Sequence, residues 1–313
     1  MYRFSANNTD NKGIVPNTYL KRNTVRLNAE HKLTEKLSVG TNISYANTRT
    51  QLPQNGSNLS GVMLSLMRTP PTYDIRNWQY NNGYNQNYFA FYDNPFYTVY
   101  RNTYNENVNR VFGNTYLKYD PFKWLNVTYR LGLDNFSDNN RQIYVQSSNG
   151  DDNSFGYGQV NYNNVVSTQL YSDLLLTGRK DFGEKIHTSL TLGNNIWHSD
   201  YKDVFTRGRN FSVPDFYNLN NTSERYGSNI QNTSRTYAYF ADANMDYKSA
   251  IFLQLTGRNE WSSTFGTNKN NFFYPGANVS FVISELVKFP KWFSFAKVRA
   301  AYAESGNSPG PYN

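Results

Sequence analysis

The chain has 313 residues, a net charge of +8 and no cysteine, and aromatic residues make up 17% of it. This aromatic content excludes ordinary disorder, because disordered chains contain few aromatic residues. No run of about 18 apolar residues occurs, which excludes a helical membrane span but not a membrane barrel, whose strands alternate apolar and polar residues. Without cysteine, disulfides and thiolate metal sites are also excluded.

The distribution of basic residues bears on the expected partners, and the first residues of the sequence bear on export. Lys and Arg are dispersed rather than gathered into a block, so we expect no nucleic-acid partner. Met1 leads directly into Tyr2-Arg3-Phe4-Ser5, without the charged and apolar regions of a secretory signal. We therefore expect either that the protein is not exported or that this sequence is part of a longer chain.

Apolar and polar residues alternate with a period of two along most of the sequence, which is typical of β-strands with one face buried in an apolar medium. In the first hairpin, Val25 and Leu27 alternate with Arg22 and Arg26. The only helical pattern covers 60–68, where Pro70-Pro71 would end it. About eleven strands are predicted, over 2–8, 22–33, 37–45, 111–119, 125–133, 169–179, 186–196, 237–247, 251–260, 273–283 and 295–303.

The connections between these strands alternate between short and long. Tight turns are predicted near 34–36, 120–123, 183–185 and 248–250, and long Asn-, Gly- and Tyr-rich loops at about 51–107, 136–162 and 199–233. Compact soluble domains rarely contain even one such loop. Outer-membrane barrels combine short periplasmic turns with long extracellular loops, so the pattern favours a barrel.

The composition of the two strand faces supports the same interpretation. The polar face carries mainly Asn, Ser, Thr and Gly, which suits a wet lumen, and the other face carries Leu, Val and Ile with aromatic residues such as Trp124 and Tyr247 near strand ends. We predict an all-β protein: an antiparallel transmembrane β-barrel segment, with a soluble β-sandwich or β-helix as the alternative. Because single-chain barrels have even strand numbers, eleven strands predict a chain cut at both ends.

Four stretches occur in a characteristic order. They are Thr9–Asn17 with Leu20-Lys21-Arg22, then Ser60–Asp74 with its double proline, then Arg258–Gly266 followed by Phe273–Gly276, and finally Lys297–Asn307. Together they resemble the SusC/RagA family of TonB-dependent outer-membrane transporters of Bacteroidota, over essentially the whole chain. Two positions depart from the family pattern: Glu260-Trp261 stands where the family has Asp-Gly, and Ala303 where it has Gly.

The resemblance implies that residues 1–313 form the middle of a barrel of about 22 strands, without plug, TonB box or final strand. It implies TonB-dependent nutrient uptake, with a glycan or oligosaccharide as the main substrate class and a peptide as the other. The implied partners are a SusD-like surface lipoprotein, TonB and the lipid of the outer membrane. A passive porin or adhesin barrel and a soluble carbohydrate-binding β-protein are the alternatives.

The candidate site residues fall into two groups. Arginines predicted on the inward faces would line the lumen or hold the plug: Arg22, Arg26, Arg130, Arg179 and Arg258. Aromatic residues of the loop 51–107 would stack on sugar rings, or else form a loop core or a partner-docking surface: Trp78, Tyr80, Tyr84, Tyr88 and Tyr92. The three histidines lie far apart and without a nearby nucleophile, so we predict no catalysis, no cofactor and no metal site.

Overall fold

The computed structural model describes residues 1–54, 60–89, 91–150, 156–266, 270–287, 289–290 and 292–311. These residues form one sheet of eleven antiparallel strands that follow one another in sequence order, which confirms the predicted all-β class. The strands are β1 Tyr2–Lys12, β2 Tyr19–Lys32, β3 Leu37–Leu52, β4 Thr103–Phe122, β5 Leu125–Tyr144, β6 Gln159–Phe182, β7 Ile186–Phe211, β8 Thr222–Tyr247, β9 Ile251–Ser262, β10 Asn271–Val282 and β11 Lys297–Ala303.

The register keeps most of the alternating apolar positions of the predicted strands on one face of the sheet. Leu27 lies opposite Ile43, Val127 opposite Leu176, and Leu192 opposite Ala241. Large apolar side chains on this face are exposed, for example Leu190 at 47% and Leu192 at 48%. Such a face is stable only against an apolar medium, so it is the lipid-facing surface, and the opposite face is the lumenal wall.

The apolar face has a limited height. On β5 it runs from Leu125 to Leu133, which corresponds to roughly 20 Å along the membrane normal for a strand tilted by about 40°. At the end with the tight turns, the exposed rings of Phe122 and Trp124 stack with centroids 5.5 Å apart. An apolar band bordered by aromatic rings is typical of an outer-membrane barrel.

The predicted bounds of the three long loops are wrong, because the strands extend well into them. On the long-loop side β3 ends at Leu52 and β4 begins at Thr103, while β5 and β6 reach Tyr144 and Gln159. The strands β7 and β8 likewise extend to Phe211 and Thr222. Above the membrane neither face contacts lipid, so the alternation of apolar and polar residues is lost although the backbone ladder continues. The alternation of apolar and polar residues therefore predicted only the part of each strand that lies at the level of the membrane.

Two short helices lie in the segment between β3 and β4: α1, Val62–Arg68, and α2, Pro95–Arg101. The predicted helix at 60–68 is confirmed, and it ends at Arg68 before the double proline. Asn94 caps α2 by accepting a hydrogen bond from the Phe96 N–H at 2.9 Å, and Pro95 occupies the first turn. A third helix, α3, Ile283–Leu286, lies between β10 and β11. No helix among the described residues is long and apolar enough to cross a bilayer.

A small apolar core fixes the segment between β3 and β4 to the ends of the neighbouring strands. Tyr97 of α2 is fully buried and packs with Ile143, Val145, Val160 and Phe211. The Tyr97 hydroxyl also lies 2.8 Å from the Ser147 hydroxyl. The segment is therefore docked on the extracellular ends of β5 to β7.

The lumenal wall contains three buried glycines that each face an aromatic ring on the next strand. A Cβ atom at Gly40 would lie 2.2 Å from the Tyr116 ring, one at Gly132 2.0 Å from the Tyr171 ring, and one at Gly193 2.1 Å from the Phe240 ring. Any larger residue would displace the ring, so glycine is required for this packing. Aromatic rings that cover strand glycines pin the register and allow a sheet to curve.

Candidate functional site

The register places all five predicted arginines on the lumenal wall. Arg22 and Arg26 lie opposite Thr48 and Ser44 of β3, and Arg130 lies opposite Asp173 of β6. The other two lie opposite Ser189 and Phe240, on the same face. Their role in plug contact or substrate passage stays a prediction.

The structure joins two of the arginines through one network, which we call the paired tier: Arg130, Asp173, Asn195, Arg258 and Glu260. An Arg130 guanidinium nitrogen lies 3.7 Å from Asp173 Oδ2, and Asn195 Nδ2 donates to Asp173 Oδ1 at 2.7 Å. Arg258 donates to Asn195 Oδ1 at 3.3 Å and to Glu260 Oε2 at 2.6 and 2.9 Å. The tier thus connects β5, β6, β7 and β9 with each charge paired.

The remaining predicted arginines lie outside this tier. Arg26 donates through Nε to the Ser44 hydroxyl at 2.9 Å. Arg179 lines an open groove of about 760 Å³ near the short-turn end, together with His187, Asp246 and Gln254. The arginines therefore occupy several heights of the wall and do not converge on one point.

Above the paired tier, the lumenal wall carries polar side chains that the sequence analysis did not select. Asp138 and Asn140 of β5, Asn163 of β6, and Asp203 and Arg207 of β7 lie on inward positions of the extended strand ends. Sequence reasoning missed them because they fall in regions treated as loops. Residues two apart on a strand share a face, so once β5 is known to continue, Asp138 and Asn140 are expected on the same lumenal face as Arg130.

The predicted loop aromatics do not form one surface. Trp78 packs into the loop core, with its ring centroid 6.0 Å from that of Tyr97 and 5.4 Å from that of Tyr100. Tyr80 and Tyr84 are exposed and lie on a tight turn closed by the Tyr80 N–H donating to the Tyr84 carbonyl. The structure thus supports a core role for Trp78.

The other two predicted aromatics belong to a second group of rings. Tyr88 contacts Tyr73 and Phe89 edge-on, with centroids 5.4 and 4.6 Å apart. Tyr92 accepts a hydrogen bond from Arg68 at 2.7 Å, and the same guanidinium lies over its ring. This group presents exposed rings to solvent and stays a candidate for glycan or partner contact.

Asp93 anchors the loop that carries these rings. Its carboxylate is almost completely buried and accepts hydrogen bonds from the Ser148 hydroxyl at 2.5 Å, the Asn149 N–H at 2.8 Å and Asn85 Nδ2 at 2.9 Å. Burial raises the pKa of Asp93 to about 6, although these hydrogen bonds oppose the shift. The residue holds the β3–β4 segment against the connection between β5 and β6.

Two histidines pair with carboxylates at the sheet surface, and these pairs do not gather into a cluster of potential metal ligands. His187 Nδ1 lies 2.8 Å from Asp181, and His198 Nε2 lies 2.6 Å from Asp200. Within the residues that the structure describes, no group of three or more potential metal ligands is found. Both pairs are hydrogen-bonded contacts between strand residues.

No protein-family model matches the sequence. The curated protein TonB-dependent receptor P26 of Formosa agariphila is 27% identical over 98% of this chain and 31% of its own length. TonB-dependent receptor P3 of the same organism is 25% identical over 99% of this chain and 32% of its own length. The chain thus spans about a third of the length of these relatives.

Solved structures agree on the fold. The RagAB peptide transporter matches with a TM-score of 0.84 and 17% identity, over 100% of this chain and 36% of the other. The siderophore receptor PiuA from Acinetobacter baumannii matches with a TM-score of 0.54 and 13% identity, over 91% of this chain and 43% of the other. The relatives are named receptors and transporters, and none of these names denotes an enzyme. The chain is thus similar to TonB-dependent receptors over nearly its whole length, and its fold is that of a segment of an outer-membrane barrel of this kind.

Proposed function

We propose that the complete protein imports a nutrient across the outer membrane in a TonB-dependent manner. The observation that carries this proposal is the contrast between the two faces of one continuous sheet, with exposed leucines outside and a hydrogen-bonded polar wall inside. A wall of this kind encloses an aqueous or plugged lumen. The chain's own residues would guide and select the cargo, and they would form no covalent bond to it.

The substrate class is a glycan or oligosaccharide, with a peptide as the second candidate. Stacked and exposed rings in the β3–β4 segment, such as Tyr88 and Phe89, are suited to sugar faces. The similarity to the RagAB peptide transporter supports the peptide alternative, because that protein is described as carrying peptides. A SusD-like surface lipoprotein would bind over the loop segment and deliver the cargo, and TonB would act on a plug supplied by the rest of the protein.

Uptake measurements in the source organism test the proposal. The gene is deleted, and TonB is inactivated in a separate strain. Accumulation of labelled oligosaccharides and of labelled peptides is then measured in each strain. We expect both strains to lose uptake of the same substrate to the same extent. Uptake that depends on this gene but continues without TonB would contradict the proposal and identify a passive pore.

Association with a lipoprotein is tested separately. The complete transporter is purified in mild detergent with an affinity tag, and the proteins that remain bound are identified by mass spectrometry. A surface lipoprotein in stoichiometric amount is the expected result. A transporter that takes up substrate at full rate and carries no lipoprotein would contradict this part of the proposal.

A further inference from the structure

An open apolar groove of about 440 Å³ crosses the lipid-facing surface on the strands β3 to β7. Its floor lies at Gly113, where a Cβ atom would collide with the Asn42 carbonyl oxygen, so this outward position cannot carry a side chain. The walls are exposed apolar side chains: Ile43, Leu131, Leu170 and Ile196. A hydrocarbon chain makes more van der Waals contacts in such a groove than on a flat barrel surface.

The register places the groove along one line across the sheet. Gly113 lies opposite Leu133, which lies opposite Leu170. Leu170 in turn lies opposite His198, which lies opposite Arg235. With neighbouring strands about 4.8 Å apart, the line from Gly113 to Arg235 is roughly 19 Å long. The groove thus leads from a bare glycine to a pair of polar side chains.

The line rises toward the extracellular side. Ile43, opposite Gly113, lies six residues beyond the first residue of β3, whereas His198 lies twelve residues beyond the first residue of β7. Both strands begin at tight turns on the periplasmic side, so the line rises by roughly 15 Å for strands tilted by about 40°. The hydrocarbon core of a bilayer is about 30 Å thick. The groove therefore follows the outer leaflet from its inner part to its headgroups.

The aromatic residues of β8 and β9 show where the headgroups begin. The exposed rings of Tyr237 and Tyr239 pack against Trp261, with centroids 4.9 and 6.1 Å apart. Clusters of Tyr and Trp are typical of the boundary between membrane and water. Arg235 is the next outward residue above Tyr237, and Thr233 follows it. Arg235 therefore lies at the level of lipid phosphate groups.

Arg235 is held in place and keeps free donor capacity. Its Nε donates to His198 Nδ1 at 3.2 Å, and His198 Nε2 lies 2.6 Å from Asp200 Oδ2. The other Asp200 oxygen accepts a hydrogen bond from the Thr233 hydroxyl at 2.7 Å. Among the described residues, no partner of the two terminal Arg235 nitrogens is found. The exposed guanidinium can thus donate to a phosphate group, which matches its planar donor geometry.

The charge of the outer face at this height favours an anion. In the described part of β3 to β8, the outward positions above the apolar band carry Arg49, Arg141, Lys202 and Arg235 as well as Arg225. The acid found among these positions is Asp200, and both of its oxygens accept hydrogen bonds. A basic rim of this kind attracts anionic lipid headgroups.

We propose that this groove, from Gly113 to Arg235, binds a phosphorylated lipid of the outer leaflet. An acyl chain lies along Gly113, Leu131 and Leu170, and the phosphate accepts hydrogen bonds from Arg235. His198 is a positioning residue, because it holds the Arg235 guanidinium at the end of the groove. The lipid lies on the outside of the barrel and away from the path of the cargo, so its role is separate from the proposed uptake.

The test uses the complete transporter in mild detergent, with purified lipid A and enzymatically dephosphorylated lipid A as probes. Native mass spectrometry across a titration gives the dissociation constant of each. Arg235→Gln removes the cation, and Arg235→Lys keeps the charge without the planar donors. Ser172→Trp places a ring in the groove, which Ser172 lines. Lys202→Gln and Val25→Trp are the matched controls at outward positions outside the groove, and heat-modifiable migration confirms that each variant is folded.

We expect the unmodified transporter to bind lipid A about 10-fold more tightly than the dephosphorylated form. Arg235→Gln should abolish this preference, Arg235→Lys should keep part of it, and Ser172→Trp should weaken binding of both probes about 10-fold. The controls should change each constant by less than about 2-fold. Equal binding of the two probes, or a loss in Lys202→Gln as large as in Arg235→Gln, would overturn the site in favour of diffuse attraction. Binding unaffected by Ser172→Trp would show that no chain occupies the groove.

Discussion

The lumenal wall has two regions with opposite hydrogen-bonding states. In the paired tier, near the membrane level, Asp173, Asn195 and Glu260 satisfy the arginines between them. A few residues further along the same strands, five buried polar atoms have no partner among the described residues, and they belong to Asp138, Asn140, Asn163, Asp203 and Arg207. The first region thus stabilises the wall through paired charges, whereas the second leaves part of its hydrogen-bonding capacity unused.

The largest expected effect tests which face of the sheet contacts lipid, because the comparison of the two wall regions depends on that assignment. Leu190→Arg places a charge on the outer face near mid-membrane and should cost roughly 2–4 kcal/mol of folding free energy. Thr191→Arg, one residue further on, points into the lumen beside Thr177 and should cost clearly less. The measurement is reversible urea unfolding of the complete protein in lipid vesicles. Equal losses from the two variants would show that the faces are assigned wrongly.

A second pair of variants compares the two wall regions directly. Glu260→Ala removes the carboxylate bonded to Arg258 and should cost about 1–3 kcal/mol, because a partly buried cation loses its partner. Asn163→Ala removes an amide whose oxygen has no partner in the described structure, and should change stability by about 0.5 kcal/mol or less. The same unfolding assay applies. A loss for Asn163→Ala as large as that for Glu260→Ala would mean that Asn163 stabilises the wall as much as the paired tier does.

A smaller effect is expected at Asp93, which anchors the segment between β3 and β4. The pKa of Asp93, about 6, is raised above its usual value in the unfolded chain, so the folded state holds its proton more strongly. Docking of the loop should therefore strengthen as the pH falls from 7 to 5, by about 1 kcal/mol, and weaken again as the pH rises through 6.

Hydrogen exchange of residues 60–89 at several pH values measures this docking. Asp93→Asn cannot ionise and should abolish this pH dependence, although it also changes the hydrogen bonds to Ser148 and Asn102. Protection that increases with pH, or the same dependence in Asp93→Asn, would contradict the assignment to Asp93.

The sequence predicted the membrane-level part of the molecule well because lipid imposes a period-two pattern there. Eleven strands, the inward face of Arg130 and the helix before Pro70 all follow from alternation and from the geometry of proline. The upper strands could not be predicted, since water contacts both of their faces and Asp138 or Asp203 then resembles a loop residue. Pairings between distant strands, such as Asn195 with Arg258, depend on the register, which no local pattern specifies.

The three glycine and aromatic pairs each join two strands that are connected on the extracellular side: β3 with β4, β5 with β6, and β7 with β8. The register of each such hairpin is thus fixed by its own glycine and aromatic pair, independently of the neighbouring strands in the sheet. A barrel assembled from units of this kind can be extended or shortened by whole hairpins without loss of alignment. This modularity is a route by which a common wall can acquire different loops.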